Sequence, residues 1–84
     1  MYDYFFTFRS VTAATQASRA LEQAGISSLM VRTPRELRQM GCGYSLRVKE
    51  RLLHEAQQVL TQEKINVQRL FRKNPDGHWQ EVSL

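Results

Sequence analysis

The stretch Tyr2-Asp3-Tyr4-Phe5-Phe6-Thr7-Phe8-Arg9 decides how the rest of the chain is read. Aromatic residues favour extended backbone, and successive side chains of a strand point to opposite faces. Tyr4, Phe6 and Phe8 then line one face, and Phe5 and Thr7 line the other. Apolar residues on both faces predict a central strand.

Outward from that strand, Ser10 can cap a helix running to about Ala24. Ala14, Ala17, Leu21 and Ala24 recur at helical spacing and define its buried stripe. Gly25 supplies a left-handed stop, with Ile26 after it. Ser27 to Arg32 reads as a second strand. Thr33-Pro34-Arg35-Glu36 combines a cap, a proline at the first helical position and a glutamate three residues after the cap. It predicts a short helix from Pro34 to about Met40, ended by Gly41. Tyr44 to Val48 is a third strand. Lys49 to Lys64 is amphipathic, with Leu52, Leu53, Ala56, Val59 and Leu60 on its apolar side. Val67 to Arg72 is a fourth strand. Asn74-Pro75-Asp76-Gly77 has turn chemistry, and Trp79 to Val82 returns as a hairpin arm.

This order predicts an α/β chain of the α+β kind, built on the ferredoxin-like split β-α-β plan. The expectation is a mostly antiparallel sheet with both long helices on one face, a short helix before Cys42 and a C-terminal hairpin. The uncovered face, carrying some of the early aromatics, would pair with something. A homodimer through that open face is one such pairing.

The 84 residues fit a single domain, taken as 1–84. A domain this small buries only about 60% of the surface its unfolded chain exposes, so chemistry is expected at the surface or at an interface. Twelve Lys/Arg against eight Asp/Glu give a net charge of +4. The basic residues form no run and no binding signature appears, so nucleic acid is not the expected partner. One cysteine cannot make an internal disulfide. No stretch approaches the roughly 18 apolar residues of a membrane span, and the N-terminus does not read as a signal peptide. A reducing cytoplasm is the expected location.

The candidate chemical centre is Cys42, in Met40-Gly41-Cys42-Gly43-Tyr44. Gly41 and Gly43 remove bulk on both sides and permit backbone angles that point N–H groups at an anion. Arg32, Arg35, Arg38, Arg47, Lys49 and Arg51 fall within ten residues of Cys42, and they are half of the chain's 12 cations. Cations favour the thiolate, which is the reactive form. At a pKa of ~8.5 only about 3% of a thiol is ionised at pH 7. The negative end of the preceding short helix works the other way. A single cysteine is equally readable as a small buried hydrophobe, with the arginines as a solvated face.

Other features carry less. His54 and His78 lie far from Cys42, with no metal-ligand spacing. No catalytic triad and no phosphate-binding glycine loop can be read. No cofactor and no metal are expected. Trp79 reads as a hairpin packing residue, and the Tyr4/Phe6/Phe8 stripe as core or oligomer packing.

The run Met30-Val31-Arg32-Thr33-Pro34-Arg35-Glu36-Leu37, followed by Gly41-Cys42-Gly43-Tyr44-Ser45-Leu46-Arg47-Val48, resembles the bacterial family described as putative selenium/sulfur carrier protein-like. The resemblance also takes in Tyr4-Phe5, the Ala13–Ala24 helix and Gly25-Ile26, and it spans roughly Tyr2 to Phe71. The C-terminal hairpin lies outside it. What it implies is a carrier that is not a turnover enzyme. Cys42 would hold sulfur or selenium as a persulfide or selenosulfide between a donor and an acceptor protein. Arg35 and Arg47 would then stabilise the anion, and Arg32 and Arg38 would serve docking. The competing expectation is a non-enzymatic module that binds a protein or a small anion and whose cysteine is structural.

Overall fold

The computed structural model describes residues 2–37 and 43–84. Its elements are β1 (Asp3–Thr7), α1 (Val11–Gln23), β2 (Leu29–Arg32), a 3-10 turn (Arg35–Leu37), β3 (Tyr44–Lys49), a second 3-10 turn (Glu50–Leu52), α2 (Leu53–Gln62), β4 (Arg69–Lys73) and β5 (Trp79–Val82). The strands form one sheet in the order β2-β3-β1-β4-β5. Every neighbouring pair is antiparallel. Thus β1 and β2 run the same way with β3 between them, and β3 and β4 run the same way with β1 between them. This is the split β-α-β connectivity expected from the order of elements.

β1 is the central strand. Phe6 faces Leu46 on one side and Leu70 on the other, and Phe5 faces Arg47 and Phe71. Tyr4, Phe6 and Phe8 join Leu46, Val48 and Leu70 under both helices, which contribute Ala14, Ala17, Leu21, Ala56 and Leu60. Phe6, Phe8, Ala14, Ala17 and Ala56 are all at most 1% exposed. Alanines on the helix stripes let the helices lie close to the bulky strand residues.

The opposite face is not bare, which corrects the expectation of an open apolar surface. Phe5 and Phe71 form a second cluster with Leu37, against which Val31 and Trp79 pack. Trp79 meets Phe5 edge to face, with ring centroids 4.9 Å apart. The chain thus covers the centre of its own outer face, where pairing with a second copy was expected.

Both helices end in the same way. After α1, Gly25 has φ +75°. Gly25 N–H donates to the Glu22 carbonyl and Ile26 N–H to the Leu21 carbonyl. After α2, Lys64 takes the left-handed position at φ 58°. Lys64 N–H donates to Thr61 and Ile65 N–H to Leu60. Each is the two-bond stop that satisfies the last carbonyls and lays an isoleucine back on the core. The sequence announces the first stop with a glycine and hides the second, so α2 ends at Gln62 rather than at Lys64. Its start also falls later than Lys49. Lys49 still pairs with Asp3, Glu50 N–H donates to the Tyr2 carbonyl, and Glu50 Oε1 accepts from Tyr2 N–H at 3.0 Å. The ladder holds the backbone extended until those bonds are made.

The β4–β5 hairpin closes through Asn74 N–H to the His78 carbonyl at 2.8 Å and Gly77 N–H to the Asn74 carbonyl at 2.9 Å. Asp76 accepts from the His78 backbone N–H at 3.0 Å and meets its Nδ1 at 2.9 Å. No helix among the described residues is long and apolar enough to cross a membrane.

Two predictions rest on these turns. Lys64→Gly should stabilise the protein by about 0.5–1 kcal/mol, because glycine enters the left-handed region without the steric cost that a Cβ carries. An unchanged or lowered midpoint in urea denaturation would contradict this. The Asp76 carboxylate raises the His78 pKa above 6.5 through the side-chain hydrogen bond and charge attraction. The His78 backbone N–H, followed by its ring, lowers the Asp76 pKa below 3.8. The charged contact is therefore complete below pH 6.5 and fades as pH rises through the His78 pKa, and on the acid side it fades as pH falls through the Asp76 pKa. In an NMR titration, Asp76→Asn should move the His78 midpoint downward.

Candidate functional site

β2 and β3 pair from Leu29↔Arg47 to Arg32↔Tyr44. Beyond that register, Thr33 N–H donates to the Gly43 carbonyl at 2.8 Å. Pro34 has no N–H and cannot extend the ladder, so the chain leaves the sheet there and rejoins it at Gly43. Leu37 N–H closes the 3-10 turn onto the Pro34 carbonyl at 2.9 Å. That turn carries Leu37 over the outer face, where it is buried with Phe5 and Phe71.

The mouth of this excursion is fastened a second time. The Thr33 and Ser45 hydroxyls lie 2.6 Å apart, with Thr33 at 3% and Ser45 at 0% exposure. A hydroxyl buried without a partner is costly, so this pair ties β2 to β3 beside Gly43. Neither residue was expected to act here. Thr33 reads as a helix cap, and Ser45 is one polar residue in a short apolar strand. What could have marked Ser45 is its parity, since it stands on the same face as Val31 and opposite Leu46.

The expected site residues fall in different places. Cys42, Arg38 and Gly41 lie outside the described residues. Gly43 is half-buried, and no atom lies within 4 Å of where a Cβ would stand. Arg35 is exposed on the 3-10 turn, and Arg47 is exposed beside Phe5 on the outer face. Arg32 sits at the end of β2, with its guanidinium 5.8 Å from the Tyr44 ring centre. Arg32 pairs with Tyr44 and Arg47 with Leu29, so strand alternation puts Arg32 and Arg47 on opposite faces. Nearness in sequence had grouped these cations; the pleat separates them.

Among the described residues, no group of three or more His, Cys, Asp or Glu could hold a metal ion. An open groove of about 580 Å³ lies elsewhere, between α2 and the C-terminus, and is lined by Phe6, His54, Leu60, Val67 and Leu84 among others. What this end of the β2–β3 ladder offers chemically is a strand junction held by a backbone bond and a buried hydroxyl pair, with an exposed guanidinium at Arg35, whereas the exposed guanidinium of Arg47 stands at the opposite end, against Leu29. Neither guanidinium has a carboxylate partner among the described residues.

A family model described as putative Se/S carrier protein-like matches residues 3–72. The match runs from the first residue of β1 to within one residue of the end of β4 and leaves β5 outside. No curated protein and no solved structure matches the chain.

The hydroxyl pair makes a measurable prediction. Ser45→Ala and Thr33→Val should each cost about 1–3 kcal/mol by removing a buried hydrogen-bonding group. In a double-mutant cycle by urea denaturation the two should couple by about 0.5–1.5 kcal/mol. Strict additivity would show that the hydroxyls act independently.

Proposed function

The chain belongs to the putative Se/S carrier protein-like family, and from that premise we propose that Cys42 is the residue that carries the chalcogen. The observation that carries this reading is that the matched region, 3–72, includes the chain's only cysteine. The cysteine directly precedes Gly43, whose carbonyl is bonded to Thr33. The exposed cation at Arg35, on the turn that follows Thr33, supports it further, since positive charge favours a thiolate.

The transfer balances without an added oxidant. The Cys42 thiolate attacks the outer sulfur of a persulfide on a donor protein. A sulfur–sulfur bond forms to Cys42 as the donor's sulfur–sulfur bond breaks, and the donor thiolate leaves with the electron pair. The sulfane sulfur moves at its existing oxidation level, and its proton either stays on it or passes to water. A nucleophile on the acceptor protein then attacks the outer sulfur of the Cys42 persulfide, and the Cys42 thiolate departs. A selenium atom carried as a selenosulfide follows the same balance. No second base is required, because both leaving groups are thiolates. The partners are accordingly a donor protein and an acceptor protein.

Incubation with a cysteine desulfurase and cysteine, followed by intact-mass and peptide mass spectrometry, tests the proposal. The expected product is one added sulfur atom on Cys42, removed by a thiol reductant and absent in Cys42→Ser. If a control carrier loads and this protein does not, the proposal fails.

A further inference from the structure

We propose that the outer face of the sheet is a docking surface for a protein that presents clustered carboxylates. Residues directly paired across antiparallel strands share a face. One row of this face therefore reads Leu29–Arg47–Phe5–Phe71–Glu81, and the next begins Lys49–Asp3–Lys73–Trp79. A further row places Arg69 beside Thr7. Four cations, Arg47, Lys49, Arg69 and Lys73, face two carboxylates, Asp3 and Glu81. Glu81 is already engaged by Arg69 at 3.4 Å. Asp3 stands between Lys49 and Lys73 and can offset only one of them. Arg47, Lys49 and Lys73 are exposed and have no ion pair among the described residues.

The opposite side of the molecule carries a smaller excess. By the same registers Arg32 and Arg72 stand on the helix side of the sheet, beside Tyr44 and Tyr4, and with Arg19 of α1 they face Glu22 and Glu55 of the two helices. Over the strands and helices the outer face thus has the larger positive excess, and an acidic surface is steered toward it.

The same face argues for a protein over a nucleic acid. Binding a strand of bases requires free aromatic ring faces. Here Phe5 and Phe71 are 6% and 8% exposed. The Trp79 ring is taken up by its T-shaped contact with Phe5 and by Lys73, whose Nζ lies 5.3 Å from its centre. What is open is Leu29, half exposed at the sheet edge in the same row as Arg47. An aliphatic contact beside uncompensated cations fits a protein surface that carries carboxylates around an apolar spot. Docking at this surface requires no chemistry of Cys42, so it stands or falls apart from the carrier reading.

Trp79 is the only tryptophan and reports on this face. Titration of its fluorescence with a short polyglutamate peptide should give a saturable change. Raising salt from about 0.05 to about 0.5 M should weaken the binding strongly. The double variant Arg47→Glu/Lys49→Glu should weaken it about tenfold or more. Glu81→Gln, which releases Arg69, should tighten it and needs no change to the basic residues themselves. Circular dichroism would confirm that both variants fold; should the double variant not fold, the salt dependence and Glu81→Gln decide. No response to the peptide overturns the proposal, as does a response indifferent to salt or charge. Tighter binding of a single-stranded oligonucleotide than of polyglutamate would also overturn it, in favour of nucleic acid.

Discussion

The position of β1 at the centre of the sheet is the constraint on which the other elements depend. It pairs with β3 along one edge and with β4 along the other, in registers that set Phe6 against both Leu46 and Leu70. Those pairings bring together strands that are distant in sequence, so each must be reached by a crossing connection. α1 and α2 are those connections, and both return over the face that holds Tyr4, Phe6 and Phe8. The alternation of one aromatic strand thereby decides which face the helices cover and which is left to shorter segments.

That second face is completed by parts of the chain that are not regular connections. Leu37 arrives on a 3-10 turn inserted between β2 and β3, and Trp79 arrives on a strand beyond the family match. Together they bury Phe5 and Phe71 and leave charged residues on the rest of the face. The end of the β2–β3 pairing is therefore held by a backbone bond from Thr33 to Gly43 and by a buried hydroxyl pair, while Leu37 of the 3-10 turn packs on the sheet.

Among the described residues the strands and both long helices were legible, while their limits were less so; of the short helix expected from Pro34 to Met40, the described part is a 3-10 turn over Arg35–Leu37, and 38–40 lie outside the described residues. The α1 stop could be read from Gly25-Ile26, because glycine enters the left-handed region at little cost. The α2 stop could not, because Lys64 adopts the same angle with no residue type to announce it. The start of α2 was delayed by bonds from Glu50 to Tyr2, residues 48 positions apart. Arg35 and Arg47 are both exposed, but the β2–β3 register sets Arg47 at the far end of the ladder from Gly43, and Thr33 and Ser45 were not recognised as a pair. Their 2.6 Å contact depends on the β2–β3 register, which propensity does not encode.

The sequence by itself determined the order of strands and helices, the central role of the aromatic strand, and the single thiol in the family-matched region. These are written in side-chain periodicity and in residue type, which act over a few neighbouring positions. Only the tertiary structure decided which aromatic row was core, that Leu37 and Trp79 close the outer face, and that Arg32 and Arg47 point to opposite sides. Those outcomes depend on register and pleat between distant segments. A shift of one residue in either pairing would reverse every facing, and only the packed sheet selects among the registers.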